Sequence, residues 1–153
     1  MNKNNLLVKQ TAALITDESN LIANLANVAS LLYTELPDVS WVGFYCYHPT
    51  DQQLILGPFQ GKPACTRIPA GQGVCGQAWQ KEKTLVVPDV HQFAGHIACD
   101  AATNSEIVIP LKNAKTTWGV LDLDSNSFDR FSAADQILLE EIAELIGSLY
   151  QSA

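Results

Sequence analysis

The sequence predicts an α+β domain in which an antiparallel sheet of about six strands is backed by helices. Three observations lead there. Apolar residues recur at three- and four-residue spacing over two N-terminal segments and again at the C-terminal end. Between them the period drops to two. The strand-like runs are joined by short polar turns, with only one brief helical stretch inserted among them.

The elements follow in order. Asn5 to Ile15 and Ser19 to Leu36 read as amphipathic helices, and Pro37 stops the second. In "VSWVGFYCYHP" Trp41, Gly43 and Tyr45 fall on one face and Val42, Phe44 and Cys46 on the other, and "TDQQ" turns the chain into "LILGPF", making a hairpin. After "ACTRIPAGQG" comes a short helical stretch, "VCGQAWQKEK", and then a strand, "TLVVPDV", cut off at Pro88, which has no N–H for a ladder. From His91 to Asn104 no period is visible, and a loop of that length inside a compact domain is uncommon unless it serves a function. "EIVIPLK", the turn "NAKT" and "TWGVLDLDS" form a second hairpin. Ser132, with Asp135 three residues on, caps a closing helix, "AADQILLEEIAELIGSLY".

Length and composition agree with one domain over residues 1–153. Hydrophobic residues make up 47% and charged residues 16% of the chain, which is globular rather than disordered. The short apolar stretch Leu6 to Val8 is interrupted by Lys9, Gln10 and Thr11 before it reaches the length of an export signal, and no run approaches the roughly 20 apolar residues that cross a bilayer. The expected location is the cytoplasm, where thiols stay reduced. A net charge of −7 argues against nucleic acid, whose binding needs clustered Lys and Arg, and suits a cationic or zwitterionic small molecule better.

There are four cysteines, Cys46, Cys65, Cys75 and Cys99, and no Cys-x-x-Cys pair among them. A metal held by Cys99 with His91 and His96 would lack the close ligand pairs of structural zinc, so no metal is expected. Cys46 shares its strand face with Val42 and Phe44 and reads as core. The other three lie among turn and small residues, "GKPACTR", "GQGVCGQ" and "HIACDAA", where a partner can approach, which points to a nucleophilic or redox role for at least one. Around Cys99 the local charges oppose each other: Asp100 disfavours a thiolate, and a protonated His96 would favour it.

Alternation along "WGVLDLDS" puts Trp118, Val120, Asp122 and Asp124 on one face and Gly119, Leu121 and Leu123 on the other, with the two acids about 7 Å apart. Such a pair is either solvated at a strand end or lines a pocket, where it binds an ammonium group or keeps one carboxyl protonated by mutual repulsion. Glu106, at the start of the partner strand, would join them across the ladder. Trp41 and Tyr45 flank Gly43 and form either ordinary core or a notch for a small apolar or sulfur-bearing group.

The segments "SWVGFY", "LGPFQGKPACTRIPAGQGVCG", "DVHQFAGHIACDAATNSEIVIPL" and "GVLDLDS" together closely resemble the free methionine-R-sulfoxide reductases, which are built on the GAF fold. The likeness runs from about Thr16 to the final helix, and it implies that Cys99 is the nucleophile, Cys65 the thiol that resolves it and Cys75 an auxiliary thiol. It further implies that Glu106, Asp122 and Asp124 hold substrate and assist proton transfer, while Trp41 and Tyr45 enclose the S-methyl group. Free L-methionine-R-sulfoxide is then the substrate and thioredoxin, fed by NADPH, the reductant, with no bound cofactor. GAF domains pair through their terminal helices, so a homodimer is a further implication. Cys46 and "HPTDQQ" match no motif. The alternative is a GAF module that binds a small molecule or senses redox state without catalysis, although the Asn-Lys-Phe-Asp-Glu signature of nucleotide-binding members is absent.

Overall fold

Asn2 and Asn20 open the first two helices, each accepting a hydrogen bond on its side-chain oxygen from a backbone N–H three residues on, Asn5 and Ala23, both at 2.9 Å. The helices are α1 (Lys3–Ile15) and α2 (Leu21–Glu35), so α2 starts after its Asn20 cap rather than at Ser19. Leu36 is already extended, as the residue before a proline prefers to be. The computed structural model describes residues 2–151; the ends of the expected 1–153 domain, Met1, Ser152 and Ala153, lie outside them.

The strands are β1 (Trp41–His48), β2 (Gln53–Gln60), β3 (Arg67–Pro69), β4 (Leu85–Val87), β5 (Ser105–Lys112) and β6 (Thr117–Ser125). Between β3 and β4 lies α3 (Gly73–Lys81), and α4 (Ala133–Gly147) closes the fold behind a full Ser132–Asp135 capping box. The sheet runs β3-β2-β1-β6-β5-β4, antiparallel at every pairing, which puts β1 and β6 at its centre. Of these strands β3 had no signature in sequence: three residues are too few to display a period, and its pairing with Gln53, Leu54 and Ile55 of β2 holds it in place.

The two faces of the sheet are covered differently. Helices α1, α2 and α4 lie over Val42, Phe44, Ile107, Ile109, Leu121 and Leu123, all buried. The opposite face carries α3 and the long loop before β5, packed on Trp41, Tyr45, Val108 and Val120. The predicted alternation of β1 holds throughout. That of β6 fails at one residue: Trp118, expected beside Asp122 and Asp124, faces α4 instead, donating its indole N–H to the Gly147 carbonyl at 2.8 Å and stacking on Tyr150. A register shift between Leu111 and Lys112, which pair with Gly119 and Thr117, resets the alternation there. The Trp118 contact also takes the last carbonyl of α4, which ends at Gly147 rather than running on to Tyr150. Among the described residues no helix is long and apolar enough to cross a membrane.

Candidate active site

Antiparallel pairing lays two rows of side chains across the centre of the sheet, on the face away from the helix layer. One row is Trp41, Asp124 and Glu106, the other Gly43, Asp122 and Val108. Directly opposed residues on a ladder have Cβ atoms about 4.5–5.5 Å apart, so Glu106 and Asp124 face each other and Asp122 lies diagonal to Glu106. The three acids converge as the alternation predicted. They are not solvated strand-end groups: Glu106 is 7% and Asp122 5% exposed, and one oxygen each of Asp122 and Asp124 is buried without a hydrogen-bond partner.

Burial sets the electrostatics of this group. It pushes Glu106 and Asp124 well above the usual carboxylate range, and the neighbouring Asp122 charge pushes them further. Burial raises Asp122 as well, but its polar neighbours Glu106, Cys75 and Asp124 act against that rise, so Asp122 is raised less than the other two. Three crowded carboxyls raised to different extents can offer both an anchor for a cation and a proton to give away.

The acids form the floor of a cavity of about 50 Å³ whose walls include Trp41, Tyr45, Ile68, Val74, Cys75, His96, Ile97 and Cys99. That is far below the roughly 300–1,000 Å³ of a ligand pocket. Its roof is the segment carrying Cys99, and a disulfide ties Cys99 to Cys65 with their Cα atoms 5.5 Å apart. Cys99 is exposed on its outer side and Cys65 half-buried, so the bond is reachable from solvent.

The remaining cysteines divide in a way their settings in sequence did not suggest. Cys75 is not an accessible loop thiol. It sits in the first turn of α3, 4% exposed, and burial first, then the nearby Asp122 charge, raise its pKa well above the ordinary thiol value. Cys46 is half-buried against the helix layer, free, and pushed up to about 11 by burial, in keeping with a core role. The trio Cys99, His91 and His96 does not assemble as a metal site. Cys99 is in the disulfide, and His91 hydrogen-bonds the Asp89 carboxylate at 2.7 Å. His96 lines the cavity, where burial and His91 lower its basicity, so it offers Cys99 an imidazole rather than a positive charge.

The notch between Trp41 and Tyr45 is closed. Gly43 has no side chain because the Trp41 ring lies over it, and a Cβ there would collide with that ring and with Phe59. With ring centroids 6.0 Å apart, Trp41 and Tyr45 present one aromatic wall. Their polar ends do a second job that the sequence did not reveal: the Trp41 indole N–H donates to the Lys62 carbonyl at 3.0 Å and the Tyr45 hydroxyl to the Cys65 carbonyl at 2.8 Å, so the wall also holds the segment bearing Cys65. Sequence reasoning likewise missed Ile97, which seats the Cys99 loop on the start of α3. The only available signal was Gly73, whose φ of +64° and missing Cβ leave room for the Ile97 side chain.

Fold and site together define a GAF-domain protein with a thiol redox centre over a buried acid group. The GAF domain model matches residues 19–150. Free methionine-R-sulfoxide reductase of Escherichia coli is 51% identical over 130 residues, covering 85% of this chain and 78% of that protein. Free methionine-R-sulfoxide reductase from Neisseria meningitidis, solved in complex with its substrate, superposes with a TM-score of 0.92 at 42% identity over 97% of this chain and 90% of its own. The reduced form of the Staphylococcus aureus enzyme gives 0.91 at 49% identity, covering 97% and 96%. The chain belongs to the GAF-domain family and, within it, to the free methionine-R-sulfoxide reductases.

Proposed function

We propose that this protein reduces free L-methionine-R-sulfoxide to L-methionine, with Cys99 as nucleophile and Cys65 as resolving thiol. The observation that carries the reading is the disulfide between these two cysteines, spanning the mouth of a cavity floored by Glu106, Asp122 and Asp124. Asp122, raised least of the three, anchors the α-ammonium, a group that a methionine inside a peptide lacks. The S-methyl group lies against the wall of Trp41 and Tyr45 rather than between them.

The Cys99 thiolate attacks the sulfoxide sulfur while Glu106 or Asp124 protonates the oxygen, a role that contributes about 10²- to 10⁴-fold. The S–O bond breaks and the oxygen passes to Cys99 as a sulfenic acid; the substrate sulfur gains the two electrons that the Cys99 sulfur loses. Cys65 condenses with the sulfenic acid, releasing water and forming the disulfide. A thioredoxin-type dithiol supplied by NADPH attacks the exposed Cys99 sulfur, frees Cys65 and resets the pair by exchange. The cavity in the disulfide state is too small for substrate, so the Cys99 loop must lift between cycles. That gives a physical reason for its small residues and for the glycine at Gly95 with φ +81°.

Thioredoxin-coupled NADPH consumption tests this with free R sulfoxide, its S epimer and a peptide sulfoxide in parallel. Turnover of the free R epimer alone is expected; no turnover with fully reduced thiols, or equal use of peptide sulfoxide, would overturn it. In the same assay Cys99→Ser abolishes turnover, and Cys65→Ser releases about one methionine per chain and stops.

A further inference from the structure

The reaction uses Cys65 and Cys99 and leaves Cys75 free, yet Cys75 points into the most negative part of the cavity. Its Sγ and one carboxylate oxygen each of Glu106 and Asp122 lie within 4.8 Å of one another, all buried. The three come from α3, β5 and β6, so the sheet and the helix packed on it hold them in register. A tetrahedral zinc ion with bonds of about 2.3 Å to sulfur and 2.0–2.2 Å to oxygen needs donors roughly 3.5 Å apart, which small side-chain rotations supply from here. Independently, Oδ1 of Asp122, a side chain 95% buried and lining the cavity, has no hydrogen-bond partner. A buried carboxylate oxygen facing an acid-floored space asks for a cation.

We propose that Cys75, Glu106 and Asp122 form a binding site for a single zinc ion, with the fourth coordination position facing the cavity. One sulfur and two carboxylate donors favour a borderline-soft ion over magnesium or calcium, which take oxygen alone. A cavity of about 50 Å³ admits an ion and its remaining water. Binding displaces the thiol proton and any proton on the two acids, so affinity rises with pH. Because Cys75 stays a thiol while Cys65 and Cys99 are bonded, the donor set is complete in the disulfide state. The site therefore needs neither Cys65 nor Cys99, although it shares Glu106 and Asp122 with the reaction proposed above. Its consequence, that zinc excludes the substrate ammonium from Asp122, rests on that reading.

The test titrates the full-length protein in its disulfide form, where Cys46 and Cys75 are the free thiols, with Co²⁺ as spectroscopic probe and then Zn²⁺ in competition. One Co²⁺ per chain with a thiolate-to-cobalt charge-transfer band, displaced by one Zn²⁺, is expected. The band survives in Cys46→Ser and disappears in Cys75→Ser, and affinity falls tenfold or more in the isosteric Glu106→Gln, which keeps the case open to test should Cys75→Ser not fold. No band in the wild type, or a band that persists in Cys75→Ser or vanishes in Cys46→Ser, would overturn the site. In the Cys65→Ser/Cys99→Ser double variant, where no disulfide closes the cavity, added free methionine should weaken Zn²⁺ binding. If the band behaves as expected but methionine leaves the affinity unchanged, the zinc site stands and the assignment of Asp122 to the ammonium falls.

Discussion

The two faces of the sheet are built from alternate residues of the same strands and have opposite chemistry. On β1, Val42 and Phe44 are wholly buried in the apolar cluster under the helix layer, while Trp41 and Tyr45 one residue away send polar atoms into a cavity wall. On β6, Leu121 and Leu123 pack into the same apolar core, and between and beside them buried Asp122 and half-buried Asp124 each have one buried oxygen without a partner. The helix-side face stabilises the fold. The cavity face holds unpaired acids that cost stability, the pattern expected where protonation states have been shifted for a task, here the reactivity proposed for them.

The linkage between the acids and folding makes this contrast measurable. Glu106 and Asp124 are raised above their unfolded values, so the folded chain keeps protons that the unfolded chain has released. Their contribution is intact at pH below the ordinary carboxylate range and is lost as pH climbs toward the raised values. Of Asp124→Asn and Glu106→Gln, the one that removes the proton donor should lower kcat by about 10²- to 10⁴-fold. Both should at the same time raise the melting temperature at neutral pH by roughly 2–4 °C, about 1 kcal/mol, a gain that closes near pH 4. Thermal melts across pH beside steady-state kinetics decide it; variants less stable than wild type at pH 7 would break the contrast.

On the other face the expectation inverts. Phe44→Ala should cost about 3–5 kcal/mol of stability, read as a large fall in melting temperature, while the molecules still folded keep a near-normal kcat. A collapse of kcat at temperatures where the variant is fully folded would mean that the two faces are not separable.

Tyr45→Phe touches the wall and the redox segment together. Losing the bond to the Cys65 carbonyl, about 0.5–1.5 kcal/mol, should slow disulfide formation in a single turnover by roughly 2- to 10-fold with little change in the sulfoxide step. Rapid-quench thiol counting separates the two steps. The smallest effect belongs to Cys46→Ala: within about 1 kcal/mol in melting experiments and no change in turnover, since the side chain faces the helix layer. A tenfold loss of turnover would place a working thiol on the wrong face.

What the sequence determined by itself was whatever depends on neighbours along the chain. The period of two put Val42 and Phe44 opposite Trp41 and Tyr45, and it put Asp122 and Asp124 on one face; the Ser132–Asp135 box marked the start of α4. The motif resemblance added what no periodicity contains, the pairing of Cys65 with Cys99 across 34 residues. Tertiary structure alone decided how each of these positions was used. It buried Cys75 against Asp122, turned Trp118 to the helix layer through a register shift, folded the Trp41 ring over Gly43 and closed the expected notch, and left acidic oxygens unpaired in a space too small for substrate. The reason is one of range: which face a strand residue occupies follows from the backbone geometry of a few adjacent residues, whereas burial, orphaned polar atoms and the position of one thiol beside an acid depend on how distant segments pack.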